Sequence, residues 1–320
     1  MKALICGDAV RAALRPVSLR PEEVIDVLGS CLEGDEVYLV GSLAAGLGNA
    51  GSDVDLHVFV QERAEGVVPM LFFADRTRLD LVHYESGTPA AALARTPVQD
   101  VALLGGRCAL GPVPPMTDMK RLSRWATAVP LYEGAPPIFT AEETARIAAA
   151  LVRLAVDIAV RAAALAVVMA AAKAPLAGLA WSRAAERAVE AAVRARGEIF
   201  VGDKWLPAKA RRCGFPPALL ADARRVTTAA DFARYADRLG LRIGDPAALV
   251  RLTPAEAPDF TFGDTTFQLV GEHLLHRLKL PSDSLDDALE AVDAAALAEA
   301  ITYGAVALAA DPAAVDGRLA

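Results

Sequence analysis

Short apolar runs alternate with polar turns over the first third of the chain, in the pattern of a small sheet preceded by a helix. The segment PEEVIDVLGSCL opens with Pro21 and two glutamates, and its apolar residues then fall on one helical face. Four apolar runs of strand length follow, at 37–41, 53–60, 67–74 and 78–85. One helix followed by four strands predicts a small mixed sheet packed on helices.

The rest of the chain has mainly helical periodicity. Prolines at positions 112, 114 and 115 interrupt the pattern and indicate a boundary after the sheet. Four helical patterns follow, at 116–128, from 140 onward, at 181–196 and at 216–238. The second of these begins with the capping-box sequence TAEE at 140–143.

The helix predicted from residue 140 is apolar except for one stripe. Arg146, Arg153, Asp157 and Arg161 advance by 7, 4 and 4 residues, so at 100° per residue they form a narrow line. A helix this apolar elsewhere is expected to run through the middle of a bundle. Its polar stripe should then face water, a cleft or partner acids.

These patterns predict an α+β protein of three parts. Residues 1–115 are expected to form a mixed-sheet domain, 116–245 a helical bundle, and 246–320 a helical or winged-helix-like subdomain. In the last part, His273 and His276 are expected as surface residues of a short helix. No further residue at ligand spacing completes a zinc site around them.

Composition narrows the class of protein. The chain has 320 residues, 54% of them hydrophobic and 23% charged, which favours a folded core over disorder. A net charge of −7 argues against recruitment of nucleic acid by the whole-protein field. The four cysteines are scattered and are expected to be reduced. The N-terminus does not read as a signal peptide, and the most apolar stretch, 162–172, is shorter than the ~20 residues of a membrane span. We therefore expect a cytoplasmic protein.

Two aspartates stand inside one apolar run, in the sequence VYLVGSLAAGLGNAGSDVDLHVFV at 37–60. Residues i and i+2 of a strand point to the same face, so Asp53 and Asp55 project together. Carboxylates this close repel each other unless a cation lies between them, and Mg²⁺ binds carboxylate oxygens together with substrate phosphates. His57 follows on the same face. It could contact the acceptor or the nucleoside, or it could be a partly exposed strand residue without a role in the site.

The Gly-Ser pair upstream of these acids suits a phosphate. Gly41 at a strand end lets the backbone approach closely, and Ser42 offers an N–H group and a hydroxyl. The segment 44–50 is expected to start a short helix whose amides add positive potential. The residues together indicate a site for a nucleoside triphosphate with magnesium.

The order Gly-Ser, ten residues, Asp-x-Asp resembles the signature of the DNA polymerase β-type nucleotidyltransferase superfamily. The stretch GSLAAGLGNAGSDVDL is similar to the minimal and antibiotic-modifying members, and the resemblance covers about residues 20–115. It implies a third acid on an adjacent strand, a setting that Asp80 in RLDLVHYE occupies. Many relatives have arginine near position 45, where this chain has Ala45. His83 should face away from Asp80 and is interpreted as packing.

The resemblance also implies roles for single residues. Asp53, Asp55 and Asp80 would bind one or two Mg²⁺ ions, and Asp80 would bind the second ion or accept the proton of the attacking hydroxyl. Gly41 and Ser42 would hold the β- and γ-phosphates. In related helical domains a lysine from a segment like FVGDKWLPAKARR at 200–212 reaches the triphosphate, which makes Lys204 the candidate here. A solvated basic turn anchored by its tryptophan is the alternative.

Three functions are consistent with these residues. The first is transfer of a nucleoside monophosphate, with AMP from ATP expected, to a hydroxyl of a small molecule such as an antibiotic or a biosynthetic intermediate, with release of pyrophosphate. The helical domain would then form the acceptor pocket. The second is AMP transfer to a protein hydroxyl, as in antitoxin-type relatives. The third is a nucleotide-binding regulatory module without turnover. Neither a membrane nor nucleic acid is expected as a partner.

Overall fold

A computed structural model describes residues 6–32, 36–61, 69–96, 101–102, 107–108, 115–241, 243 and 245–310. The α-helices in these ranges are α1 (Asp8–Leu14), α2 (Pro21–Leu28), α3 (Gly41–Ala44), α4 (Thr88–Ala94), α5 (Met116–Ala126), α6 (Ala141–Ala171), α7 (Ala177–Ala195), α8 (Leu206–Arg212), α9 (Leu219–Ala223), α10 (Ala229–Arg238), α11 (Leu285–Ala291) and α12 (Ala294–Thr302). The strands are β1 (Glu36–Val40), β2 (Val54–Val60), β3 (Met70–Ala74), β4 (Thr77–Glu85), β5 (Val101–Ala102), β6 (Arg107–Cys108), β7 (Val129–Pro130), β8 (Val250–Pro254), β9 (Asp259–Phe262), β10 (Thr265–Val270), β11 (His273–His276) and β12 (Val306–Ala310).

The N-terminal sheet is mixed, as the sequence predicts. It has five strands in the order β3-β4-β2-β1-β7. Strands β2 and β4 are parallel, and every other neighbouring pair is antiparallel. All four predicted strands form within the described residues, although residues 67–68 of the third lie outside them. The mixed α/β fold class is therefore confirmed.

Alternation along the strands gives the sheet two different faces. Val54, Leu56 and Val58 of β2 are completely buried and pack with the apolar residues of α1 and α2. The intervening positions, including Asp55 and His57, therefore point to the opposite face. Because one face is fully apolar, a slip of one residue would bury the acids, so the register is strongly specified.

Contacts divide the protein into two compact units. The first comprises Met1–Val98, Pro114–Leu151 and Glu198–Lys209. The second comprises Gln99–Val113, Val152–Gly197 and Ala210–Ala320. Two of the prolines taken as a boundary, at 112 and 114, lie outside the described residues. The predicted division at residues 115 and 245 stays a prediction.

Helix α6 begins with the predicted capping box and is 31 residues long. The backbone N–H of Thr140 donates to Glu143 Oε2 at 2.8 Å, and that of Glu143 donates to Thr140 Oγ1 at 3.2 Å. On the polar stripe, the Arg146 guanidinium donates to the backbone carbonyls of residues 93 and 96, which lie at the end of α4 and just beyond it. Further along, Arg161 pairs with Asp157 at 2.6 Å. Arg146 of the stripe thus binds backbone carbonyl groups, and Arg161 binds the aspartate of the same stripe.

Helix α6 is also the one helix of the described residues that is long and apolar enough to cross a membrane by length and composition. Its apolar part is longer than the stretch 162–172 considered in the sequence. However, 56% of its most apolar 18-residue window is buried within the protein. The buried core helix of a soluble protein meets the same criterion, so this is weak evidence for a membrane span.

The second unit contains helices and small sheets. Its helices α7 and α10 meet where the rings of Trp181 and Phe232 lie 5.6 Å apart. Strands β9, β10 and β11 form an antiparallel sheet, and β8 pairs with β12. The prediction of a helix around His273 and His276 is wrong, because both lie on β11. The two residues between β10 and β11 include Gly271 at φ +60°, which suits a tight hairpin turn.

Candidate active site

Three acids of the first unit lie together on the outer face of its sheet. Asp55 of β2 and Asp80 of β4 are register partners on neighbouring parallel strands. Asp53 lies two residues before Asp55, so it projects from the same face. The structure therefore brings together the three carboxylates that the sequence selects.

Arg78 links two of these acids. Its Nη2 atom lies 2.6 Å from Asp53 Oδ2 and 2.8 Å from Asp80 Oδ2. Arg78 precedes Asp80 by two residues on β4, so it shares that face. Arg78 is not among the residues predicted from the sequence, although its spacing of two from Asp80 was the available signal.

The environment of Asp55 disfavours the ionised form of its carboxyl group. Burial raises the pKa of its carboxyl group, and Asp80 and Asp53 raise it further. Arg124 of α5 acts against this increase, as does Arg78 more weakly. A cation bound nearby would therefore favour the ionised form of Asp55.

Gly41 lies directly against the carboxylate of Asp55. Its φ is +78°, and a β-carbon at this position would stand 2.1 Å from Asp55 Oδ2. Only glycine therefore leaves room for the acid. The short helix α3 begins at Gly41, so the prediction that it starts within 44–50 is wrong. The reason is that the backbone turns directly at the strand end.

The loop after α3 is closed by hydrogen bonds among its own residues. The N–H groups of Leu47 and Gly48 both donate to the Ser42 carbonyl at 2.9 Å. The Asn49 N–H donates to Ser52 Oγ at 3.0 Å, and Ser42 Oγ lies 3.5 Å from Ser52 Oγ. Ser42 is buried, so its hydroxyl is directed into this loop. The loop is thus a formed element next to the acids.

The segment that carries Lys204 packs against this same loop. Phe200 is buried with Ala45 and Leu47, and Trp205 packs on this cluster. The small side chain of Ala45 thus lies in one buried cluster with Phe200. Lys204 itself is exposed, with Nζ 5.1 Å from the centroid of the Trp205 ring.

A hydrogen bond also ties this segment to α5. The N–H of Val201 donates to Ser123 Oγ at 2.7 Å. The second lysine of the segment, Lys209, is fully buried, with Nζ 3.5 Å from the Phe200 carbonyl oxygen. Lys204 is therefore the lysine of this segment that has access to solvent beside the Gly-Ser loop.

His57 is not a solvent-exposed or substrate-contacting residue. It is buried under α5, where Trp125 Nε1 donates to His57 Nδ1 at 2.8 Å. Burial, together with the positive charges of Arg124 and Arg121, lowers the pKa of His57 to about 3, so the ring is neutral. The expectation of a partly exposed histidine is wrong because a residue 68 positions away covers it.

His83 lies on the opposite face from Asp80, as predicted. Its Nε2 atom is hydrogen-bonded to the Cys31 carbonyl at 3.0 Å. The outer face of the sheet thus has an acidic part around Asp55 and an aromatic part under α5. In the aromatic part, the ring of Tyr84 lies 4.9 Å from that of His57 and 5.3 Å from that of Trp125.

The carboxylates are a suitable but not preassembled cation site. Within the described ranges, no group of three or more His, Cys, Asp or Glu side chains is arranged to hold a metal ion. One guanidinium nitrogen instead lies within hydrogen-bond distance of both Asp53 and Asp80. A single positive centre can therefore contact both acids. Carboxylate oxygens are the ligands that Mg²⁺ prefers, so the donor types fit this ion, and Arg78 lies where it would bind between Asp53 and Asp80.

Comparison with known proteins identifies this region. Residues 22–88 match the family model of the nucleotidyltransferase domain. The match contains the Gly-Ser pair and all three acids, and it is consistent with the DNA polymerase β-type superfamily. A search of the curated proteins finds no match to the chain. Residues 22–88 thus carry a nucleotidyltransferase domain, which confirms the resemblance drawn from the sequence and supports a transferase of nucleotidyl groups.

Proposed function

We propose that this enzyme transfers a nucleoside monophosphate, with AMP from ATP as the expected case, to a hydroxyl group of a small molecule. The acceptor oxygen attacks the α-phosphorus, and the bond from that phosphorus to the bridging oxygen of pyrophosphate breaks. The acceptor proton passes to Asp80. The observation that carries this proposal is the convergence of Asp53, Asp55 and Asp80 on one face of the sheet.

The position of each residue suggests its role in this reaction. Asp53 and Asp55 would hold one or two Mg²⁺ ions, which would supply positive charge to the entering and leaving oxygens in such a displacement, while Asp80 takes the proton. The Gly-Ser loop lies next to Asp55 and would receive the β- and γ-phosphates. Lys204, exposed on the segment that packs against this loop, would add a positive charge to the same phosphates.

Thermal-shift titration tests the nucleotide site directly. The full chain is titrated with ATP, GTP, CTP and UTP, each with and without Mg²⁺, beside the double variant Asp53→Asn, Asp55→Asn. A nucleotide at 100 times its Kd adds about 2.7 kcal/mol to the free energy of unfolding. We expect one triphosphate to stabilise the wild type only with Mg²⁺ and not to stabilise the double variant. Asp26→Asn on α2, on the other side of the sheet, is the matched control.

A pyrophosphate-release assay then separates catalysis from binding. The wild type is incubated with the stabilising triphosphate and a set of hydroxyl compounds. Release that requires both an acceptor and Asp80 supports transfer. Binding of nucleotide without any release would favour the regulatory module instead. The absence of any nucleotide shift in the wild type would refute the proposed function.

A further inference from the structure

Two large apolar side chains are exposed beside the acids. Leu71 is 54% exposed and Phe73 is 60% exposed, both on β3, the edge strand of the five-stranded sheet. Met70 and Phe72 alternate with them and pack on the buried core instead. Exposure of Leu71 and Phe73 thus follows from the alternation of the strand, and it leaves an apolar surface open to solvent.

The register places these side chains on the catalytic face. Leu71 is the antiparallel partner of Asp80, and Phe73 is the partner of Arg78. Directly opposed residues of an antiparallel pair point to the same face, with β-carbons about 4.5–5.5 Å apart. Leu71 therefore stands next to the acid that receives the acceptor proton in the proposed reaction.

The groups of the site are arranged in a row across the sheet. The Gly-Ser pair follows β1, Asp55 lies on β2, Asp80 on β4, and the apolar pair on β3. Neighbouring strands are about 4.8 Å apart, so β1 and β3 are separated by about 14 Å. The phosphate loop and the apolar pair consequently lie on opposite sides of the acids.

Displacement at phosphorus is in line, so the entering oxygen approaches opposite the leaving pyrophosphate. With the leaving group held at the Gly-Ser loop, the acceptor must enter from the side of β4 and β3. We propose that Leu71 and Phe73 form the acceptor subsite, and that the acceptor carries an apolar ring next to its nucleophilic hydroxyl. This inference rests on the proposed function.

The chemistry of β3 supports an apolar acceptor over a polycationic one. Its sequence, MLFFA, has no charged or hydrogen-bonding side chain. An aromatic ring such as that of Phe73 recognises a ligand mainly through apolar area and ring packing. A second copy of the chain on the edge strand is the competing occupant.

The test uses the full chain and the double variant Leu71→Gln, Phe73→Gln. Leu176→Gln, Leu179→Gln is the matched control, because these leucines of the second unit are equally exposed. Saturation-transfer NMR measures binding of glycerol, cyclohexylmethanol, benzyl alcohol and 2-phenylethanol in the presence of nucleotide and Mg²⁺. We expect the ring-bearing alcohols to bind the wild type and the control, and to bind the double variant at least tenfold more weakly.

Nucleotide binding distinguishes the two proposals. We expect the thermal shift with triphosphate to be the same in all three proteins, since β3 does not contact the phosphates in this scheme. Ring-bearing alcohols that do not bind the wild type, or that bind the double variant equally well, would overturn the acceptor subsite while the nucleotide shift persists. Loss of a wild-type dimer in the double variant, measured by light scattering, would assign β3 to an interface instead.

Discussion

Gly41 and Asp55 are so close that the glycine has no space for a side chain. A β-carbon on Gly41 would lie 2.1 Å from Oδ2 and 2.9 Å from Cγ of the carboxylate. The backbone after β1 and the acid on β2 therefore determine each other's position. The Gly-Ser loop and the acids form one structural element for this reason, and each responds to changes in the other.

Gly41→Ala should displace Asp55 and abolish nucleotide-dependent stabilisation. The clash adds to the strain of a non-glycine residue at φ +78°, about 1–3 kcal/mol. Thermal melts with and without triphosphate measure both effects. Gly87→Ala is the control, because its φ is −77° and nothing lies within 4 Å of an added β-carbon. Gly41→Ala should cost less stability in an Asp55→Ala background, and strict additivity of the two changes would contradict the contact.

Arg78→Gln should strengthen cation binding in the absence of nucleotide. Arg78 holds a positive charge between Asp53 and Asp80, where a metal ion would compete with it. Electron paramagnetic resonance of free Mn²⁺ measures the affinity, and we expect an increase of about tenfold, equivalent to about 1.4 kcal/mol. Arg76→Gln, in the exposed turn before β4, is the control. Weaker Mn²⁺ binding by Arg78→Gln would mean that the guanidinium supports the ion.

Asp55→Asn and Asp53→Asn should change stability in opposite directions without metal. The pKa of Asp55 is raised, mainly by burial, so its ionised form costs stability at neutral pH and the amide removes that cost. Asp53 instead pairs with the half-exposed Arg78. The Asp53→Asn variant should therefore lose up to about 1 kcal/mol of its free energy of unfolding. Urea unfolding in EDTA at pH 7 measures both. Equal losses in the two variants would argue against a buried, destabilised Asp55.

His57 should make the protein less stable as pH falls. The unfolded histidine takes up a proton near pH 6.5, whereas the folded one does so only near about 3. Between these values the unfolded state binds more protons, so stability falls by about 1.4 kcal/mol per pH unit. Urea unfolding from pH 7 to 5 measures the slope, which His57→Gln should reduce.

Lys204→Ala should weaken triphosphate binding by about tenfold, or about 1.4 kcal/mol, with the melting temperature of the free protein unchanged. Its ammonium group is exposed beside the loop that would hold the phosphates, so it carries charge without core packing. Isothermal titration with triphosphate and Mg²⁺ measures the effect. Lys279→Ala, an exposed lysine of the second unit, is the control. An unchanged affinity would favour the alternative of a solvated basic turn.

The parts of the site that follow from local spacing could be predicted from the sequence. Period-two alternation places Asp53 and Asp55 on one face, and the apolar surroundings of Asp80 indicate a neighbouring strand. Contacts from distant segments could not be predicted in this way. Burial of His57 requires Trp125, and the environment of Ala45 requires Phe200.

Side-chain direction and turn geometry limited the prediction as well. The bridge from Arg78 to both acids depends on the rotamer of one long side chain, which periodicity does not encode. His273 and His276 are three residues apart, a spacing that was interpreted as helical. The hairpin turn at Gly271 instead places both residues on a strand. Short apolar segments are ambiguous between helix and strand, and the turn residue decides between them.

The first unit is assembled from three separate stretches of chain, so it cannot be completed until the last of them has been synthesised. The acids and the Gly-Ser loop are complete by Val98, but Trp125 and Phe200, which cover the aromatic face and the loop, are translated later. At about 5–20 residues per second, the ribosome needs roughly 5–20 s to proceed from Val98 to Lys209. During that interval the nascent domain exposes His57 and Tyr84. Chaperone demand in the cell should therefore be highest while residues 98–209 are being made.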